Sequence, residues 1–464
     1  MTDPLKAYGE GRAVDALRSR LRLPHSFGSC QRELELPAGI DASTPIFVLR
    51  QSFTDLPHAV LGVARSAGRL GIPVYAVRTG RRDPAMSSRY VRGSLAPRAS
   101  ASDSQWLEAL SRFATAAGRP VLVPVDDASA IFVDDHYKSL AERFVIPKEP
   151  AGLHRLLASK RELAVLCRRL GVPAPVSHIP ASEDEAVEMG NALGFPVVLK
   201  QVEPWLRARL DARSVFVART GAELITASRS LDSPVYAEAM MQEYIPGGPE
   251  TVWMFNGYFS AGSECLVGFT GRKLRQSGQH TGPATLGICV WNEAVAKAAT
   301  RIMRELGYAG IVDMDFRYDE RDGQYKLLDI NPRLGGSFRL FVGENDLDVV
   351  RAAYLDLTGQ PVPPGRARDG RKWMLEPYDL LVSAQMAVDR ALTLPAWARS
   401  LRNVDEAAWW SLDDPLPFLS MCASLVPVGL RQPQIRDASS SGNNRATLVD
   451  QAAVRATGRV LASS

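Results

Sequence analysis

The segment from Gly310 to Ser337, GIVDMDFRYDERDGQYKLLDINPRLGGS, constrains this chain more than any other stretch. Apolar and polar residues alternate through its first part, as in a strand with one buried face. The spacing predicts two strands joined by a turn at Arg321-Asp322-Gly323, with Gly323 in the left-handed position of a three-residue hairpin loop. Val312, Met314 and Phe316 then share one face, and Asp313, Asp315 and Arg317 the other. On the return strand Leu327, Asp329 and Asn331 are expected on one face, and a loop centred on Asp322 sets Asp315 directly opposite Asp329. Two carboxylates at about 4 Å repel by roughly 4 kcal/mol at an effective dielectric of about 20. A shared proton, a basic side chain or a cation must offset that repulsion. The oxygen donors of Asp315, Asp329 and Asn331 suit Mg²⁺, which takes carboxylates, amide oxygens, waters and phosphates. A solvent-facing acidic hairpin is the other reading of the same residues.

Upstream, Pro45–Arg50, Pro73–Val77 and Pro120–Val125 read as short apolar strands. Between them His58–Leu70 and Trp106–Ala117 carry helical spacing. This alternation implies a small parallel sheet with helical crossovers. No Gly-x-Gly-x-x-Gly follows the first strand, so no dinucleotide fingerprint is present. The first 40 residues read as a short charged helix and an irregular approach, and Pro147–Pro150 suits a boundary. Ser159–Leu170 is amphipathic, with Lys160 in its first turn, and Ser182 with Glu185 forms a capping box for a helix ending at Gly194. Strands are expected at Pro196–Gln201, Val215–Ala218, Met240–Ile245, Thr251–Asn256 and Ser263–Phe269, and a helix at Glu293–Leu306. Pro361–Gly365 suits a linker. Residues 366–430 carry Trp373, Trp397, Trp409 and Trp410 and should fold or dock, whereas 433–464 read as a mobile tail.

Composition excludes several classes. A chain of 464 residues, 46% hydrophobic and 23% charged, is neither largely disordered nor fibrous, and its length suggests about three domains. A net charge of +4 is dilute here and forms no basic stripe, so nucleic acid is not an expected partner. Five cysteines without a Cys-x-x-Cys pair point to neither a zinc site nor a disulfide framework, and fit a reducing compartment. Neither a secretory signal nor a run of about 18 apolar residues is found. No membrane association and a cytoplasmic location are therefore expected.

Asp329-Ile330-Asn331-Pro332-Arg333 after an acidic strand resembles the metal-binding end of the ATP-grasp family. The resemblance implies that Asp315, Asp329 and Asn331 hold two Mg²⁺ ions, with Mn²⁺ able to substitute, and that Arg333 meets the transferred phosphate or the developing oxyanion. Asp329 stands where family members often have the longer Glu. Lys200, ending the apolar strand PVVLK, resembles the family's lysine on the α/β-phosphates, and Lys160 its earlier phosphate-contacting cation. Outside that context each is an ordinary lysine at the end of an element. In MQEYIPGGPETV, the passage around Glu243, Tyr244 and Ile245 offers backbone groups to adenine, and Glu250 resembles the ribose-binding acid. The family's glycine-rich phosphate lid has no counterpart in QVEPWLRARLDARS, so Trp205, Arg207, Arg209 or Arg213 are expected to cover the phosphates instead. The basic cluster Arg272–Gln276, read as a loop, suits a γ-phosphate or an acidic substrate; His280 is a weakly supported base, and Gly335-Gly336-Ser337 offers backbone amides or a simple turn.

The expected fold is thus α/β and α+β. A Rossmann-like parallel-sheet domain over 1–148 precedes a two-lobed ATP-grasp domain over 149–362, whose adenine hinge lies near 243–250. A C-terminal extension follows over 363–432, like that of D-aspartate-ligase-like carboxylate–amine ligases, and then the tail. The resemblance implies an ATP-dependent ligase joining a carboxylate to an amine through an acyl phosphate, with amino acids as substrates, ADP and phosphate as products, and a homodimer as a common assembly. A carboxylase or carbamoyl-phosphate type of ATP-grasp enzyme is the alternative, and a non-catalytic ATP-binding protein a further one.

Overall fold

The computed structural model describes residues 39–52, 58–80, 83–202, 215–230, 239–278 and 282–429. The N-terminal helix, the segment holding Trp205, Arg207, Arg209 and Arg213, His280 and the tail lie outside the described residues. Among the described residues, no helix is long and apolar enough to cross a membrane.

The first sheet uses β1 (Ile46–Leu49), β2 (Val74–Val77), β3 (Val91–Leu95) and β4 (Val121–Pro124), with α1 (His58–Gly68) and α2 (Asp103–Ala117) as crossovers and α3 (Asp127–Asp135) following β4. Its order is β3-β2-β1-β4, all parallel. The edge strand β3, VRGSL, is an addition to the sequence reading. It is half exposed and holds Gly93, so it carries none of the apolar character of its neighbours.

Next come α4 (Leu153–Ala158), α5 (Lys160–Leu170), β5 (Ser177–His178), α6 (Glu183–Leu193), β6 (Val197–Gln201), β7 (Val215–Ala218), α7 (Gly221–Ser230) and β8 (Ala239–Glu243). The four strands form a small antiparallel sheet of order β5-β8-β6-β7. Ser159 and Ser182 cap α5 and α6 by accepting from Glu162 and Glu185 backbone N–H groups. The Ser159 cap fixes where Lys160 leaves the helix.

The central sheet then forms from β9 (Val252–Phe259), β10 (Cys265–Gln276), β11 (Ala284–Cys289), β12 (Gly310–Asp319) and β13 (Gln324–Asn331), with α8 (Glu293–Glu305) between β11 and β12. After α9 (Val349–Leu357) the C-terminal region adds β14 (Lys372–Met374), α10 (Glu376–Val388) and β15 (Glu406–Ala407). The order is β13-β12-β9-β10-β11-β14-β15. The residues beyond the Pro361–Gly365 linker are therefore built into the main sheet. Trp373 and Trp409 are 2% and 0% exposed in its largest core.

Packing fixes which face of β12 carries the chemistry. Val312, Met314 and Phe316 pack with Phe255, Phe259 and α8 on one side of the central sheet. Burying each is worth about 1.5–3 kcal/mol. A one-residue slip would expose all three, so the register that presents Asp313 and Asp315 on the other side is strongly held. That other side shares its core with α1, α9 and the parallel sheet.

Candidate active site

Asp315 pairs with Asp329, and Asp313 with Asn331, across β12 and β13. The route to this register differs from the expected one. Asp319 pairs with Gln324, so the turn holds four residues, 320–323, with Gly323 at φ 69°. Leu328 then bulges between the Phe316–Leu327 and Asp315–Asp329 pairs and restores the alignment. The bulge also corrects the expected face of Leu327. It is buried in the α8-side core, opposite the face of Asp329 and Asn331.

Lysines offset the acidic repulsion in this structure. Lys160, at the start of α5, pairs with Asp329. Lys273, on β10, donates to Asp315 Oδ2 at 3.1 Å and to the Gly282 carbonyl at 3.0 Å. The segment Arg272–Gln276 is therefore the end of a strand, not a loop: Lys273, Arg275 and Gln276 are buried. Arg275 is committed to structure, in a bidentate pair with Asp379 of α10 at 2.8 Å and a bond to Ser400. Lys200, on β6, completes the cationic group. Burial first, then the neighbouring Lys160 charge, lower its pKa to about 8, against the pull of Asp329 and Asp315.

Arg333 is oriented from two sides. Its Nε donates to Asp127 Oδ1 at 2.8 Å, at the start of α3, and its Nη2 to Asn331 Oδ1 at 3.2 Å. Burial works against its charge, but Asp127, Asp313 and Asp329 outweigh it and raise its pKa. Asp313 lies deeper. Burial, then Asp315, push its carboxyl up to about 7. Gly335 is needed beside it, because a Cβ there would collide with the Asp313 carboxylate.

The passage from β8 to β9 sits near the hairpin. The Glu243 N–H is spent on the Val176 carbonyl at 2.8 Å, and its carboxylate accepts from Val176 N–H at 3.1 Å and pairs with Arg321. Tyr244 and Ile245 begin the crossover beyond the end of β8, and Glu250 lies exposed in a single 3₁₀ turn, Pro249–Thr251. Arg317, expected on the carboxylate face, reaches back to this loop and donates to Gly247 O at 2.5 Å and Thr251 Oγ1 at 3.2 Å. It ties the acidic hairpin to the segment carrying Glu250.

Sequence reading placed Lys273 only in a basic loop, without its pairing to Asp315, and left Asp127 unassigned. Lys273 would have emerged had β10 been extended to Gln276, since alternate residues of a strand share a face. Asp127 lies just past the C-terminal end of β4, where open parallel sheets bind ligands.

The oxygen donors of Asp315, Asp329 and Asn331 fit a hard divalent cation such as Mg²⁺. Asp315 and Asp329 keep 28% and 30% exposure, so the donors are accessible. Among the described residues, no group of three or more His, Cys, Asp or Glu side chains is placed to hold a metal. This set instead has two acids and an amide.

A parallel-sheet unit, a small antiparallel lobe and a large antiparallel sheet, with lysines close to paired carboxylates, make up an ATP-grasp fold. The chain is homologous to D-aspartate ligase of Enterococcus faecium, with 26% identity over 255 residues, 52% of this chain and 60% of that relative. It is also 25% identical over 179 residues to the carbamoyl phosphate synthase large chain of Methanobrevibacter smithii, covering 37% of this chain and 16% of that one. The matches thus span less than two thirds of these relatives. No family model matches the chain. An ADP complex of N5-carboxyaminoimidazole ribonucleotide synthetase shares the fold at TM-score 0.55 and 14% identity, over 71% of this chain and 80% of that one. An L-amino acid ligase from Bacillus licheniformis does so at TM-score 0.51 and 15% identity, over 69% and 77%.

Proposed function

We propose that this protein is an ATP-dependent carboxylate–amine ligase acting on small molecules, amino acids foremost. The observation carrying this reading is the convergence of Lys160, Lys273 and Arg333 on the aligned Asp315, Asp329 and Asn331. The likeness to D-aspartate ligase supports the same class of reaction. Domains over 1–148, 149–362 and 363–432 are part of this reading.

ATP would lie between the small antiparallel lobe and the central sheet. Tyr244 and Ile245, with Glu243, would flank adenine, and Glu250 would accept from the ribose hydroxyls. Lys160 and Lys200 would bind the phosphates. Asp315, Asp329 and Asn331 would hold Mg²⁺, which when bound neutralises phosphate charge and polarises the γ-phosphoryl group. A substrate carboxylate oxygen attacks the γ-phosphorus, the bond to the β–γ bridging oxygen breaks, and ADP leaves. The amine then attacks the acyl carbon. Phosphate departs, the nitrogen loses a proton, and an amide remains. Arg333, oriented by Asp127 and Asn331, would stabilise the oxyanion between these events. Catalysis here rests on positioning and charge.

An ADP-release screen over paired carboxylates and amines, with mass spectrometry of products, tests the proposal. ADP release that needs both partners and yields their amide is expected. Release that needs bicarbonate and no amino acid would move the assignment to a carboxylase, the reading favoured by the fold shared with N5-carboxyaminoimidazole ribonucleotide synthetase. Glu250→Ala is expected to weaken ATP binding about tenfold, or about 1.4 kcal/mol, by calorimetry. Unchanged affinity would remove Glu250 from the ribose site.

A further inference from the structure

The proposed ligase reaction needs a group to receive a proton. An amine is an ammonium ion at neutral pH, and its nitrogen cannot attack an acyl carbon until a proton is removed. The groups already placed are committed elsewhere. In that reading Lys160 and Lys200 serve the phosphates, Asp315 and Asp329 serve the cation, and Arg333 stays charged. Lys273 is held by Asp315 and the Gly282 carbonyl.

A histidine stands on the same side of the central sheet. His58 is the first residue of α1, which follows β1 of the parallel sheet, and it is half-buried. Two neighbours locate its ring. A Cβ at Gly336 would fall 2.6 Å from His58 Nε2, so the imidazole lies against the backbone of the chain leaving Arg333. The three steps from Arg333 to Gly336 span at most about 11 Å. The preceding Gly335 packs on Asp313, so two adjacent glycines join His58 to the acidic strand β12. The His58 ring centroid also stands 6.2 Å from that of Trp373. Trp373 opposes Gly287 across β14 and β11, and Gly287 opposes Lys273 across β11 and β10. Directly opposed residues share a face of the sheet. Trp373 therefore belongs to the face on which Lys273 donates to Asp315, and His58 meets it there.

The other histidines among the described residues are placed differently. His136 pairs with Asp103 at 3.2 Å, His154 is buried and bonded to the Pro332 backbone, and His178 is exposed on β5 of the small lobe. Imidazole is the side chain whose ordinary range lets it take and release a proton near neutral pH.

We propose that His58 is the base that deprotonates the amine substrate, an inference that rests on the ligase reading. One proton passes from the ammonium to a ring nitrogen of His58. The freed lone pair forms the C–N bond at the acyl carbon, and the C–O bond to phosphate breaks with its electron pair. The nitrogen's surplus proton leaves with the phosphate, and the imidazolium returns its own to solvent.

The test compares two amines small enough to share one path: hydroxylamine, unprotonated at neutral pH, and ammonium, protonated there. The full chain receives ATP, Mg²⁺ and a pool of D- and L-amino acids as carboxylates. Hydroxamates and primary amides are then quantified by mass spectrometry. His58→Gln should lower amide formation from ammonium about a hundredfold, the usual worth of a general base, while hydroxamate falls less than about threefold. In His58→Ala, added imidazole should restore part of the amide. Equal loss of both products in both variants, or loss of neither, would overturn the proposal. So would a wild-type chain that makes hydroxamate but no amide, since no base would then be acting on ammonium. A wild-type chain that makes neither product and releases no ADP would end the ligase reading itself, and the role of His58 with it.

Discussion

Asp329→Asn will lose substrate-dependent ADP formation by about three orders of magnitude, equivalent to about 4 kcal/mol of transition-state stabilisation. The change keeps shape and one oxygen but removes a charge from the pair aligned by β12 and β13. Two effects act in the same direction. The remaining donor set is a poorer home for a divalent cation, and Lys160 loses the carboxylate that positions it. Calorimetry of ATP with and without Mg²⁺ separates the loss from misfolding: the variant should retain its melting temperature and lose the magnesium-dependent part of ATP affinity. Near-wild-type turnover would end the assignment of Asp329 as a metal ligand.

The second large effect concerns stability. Glu406 of β15 accepts from Arg339 Nε and Nη2 at 2.9 and 2.8 Å, and from Arg371 at 2.5 Å. The two arginines are 8% and 7% exposed. Glu406→Gln leaves buried Arg371 without a carboxylate partner and Arg339 with Asp348 alone, and should cost about 3 kcal/mol at pH 7. Burial alone would raise the Glu406 pKa, but Arg339 and then Arg371 overcome it and hold the carboxyl at about 2 against a usual 4.5. A carboxyl depressed in this way stabilises the fold above its unfolded pKa, and the contribution fades as pH falls from about 4.5 towards 2. Converted at 1.36 kcal/mol per unit, the contribution is about 3 kcal/mol. The difference between wild type and variant in urea unfolding should therefore shrink across that acid window. A difference constant from pH 7 to pH 2.5 would show that the charge of Glu406 is not what holds β15.

The parts of the fold legible in the sequence are those set by local pattern. Apolar alternation in β12 predicted the buried face of Val312, Met314 and Phe316, amphipathic spacing placed α5, and capping chemistry placed the start of α6. The Asp315–Asp329 pairing was predicted through a compensation, a turn one residue longer offset by the Leu328 bulge. A bulge leaves little local signature, which is why Leu327 was assigned to the wrong face. What stayed hidden depends on distant partners. Arg275 reads as a solvated cation until Asp379, 104 residues later, is placed against it. Lys273 likewise waits for Asp315, and the short strand β14 for its pairing with β11. Arg317 alternates onto the acidic face as expected, yet its length carries the guanidinium to the Gly247 carbonyl.

Because β14 lies hydrogen-bonded along Leu286, Gly287 and Ile288, trimming the chain at the Pro361–Gly365 linker would strip the margin of the central sheet. The bared amides and carbonyls would become adhesive toward any passing polypeptide. A shortened version of this protein should therefore be judged first by whether it clumps, before its turnover is taken to mean anything.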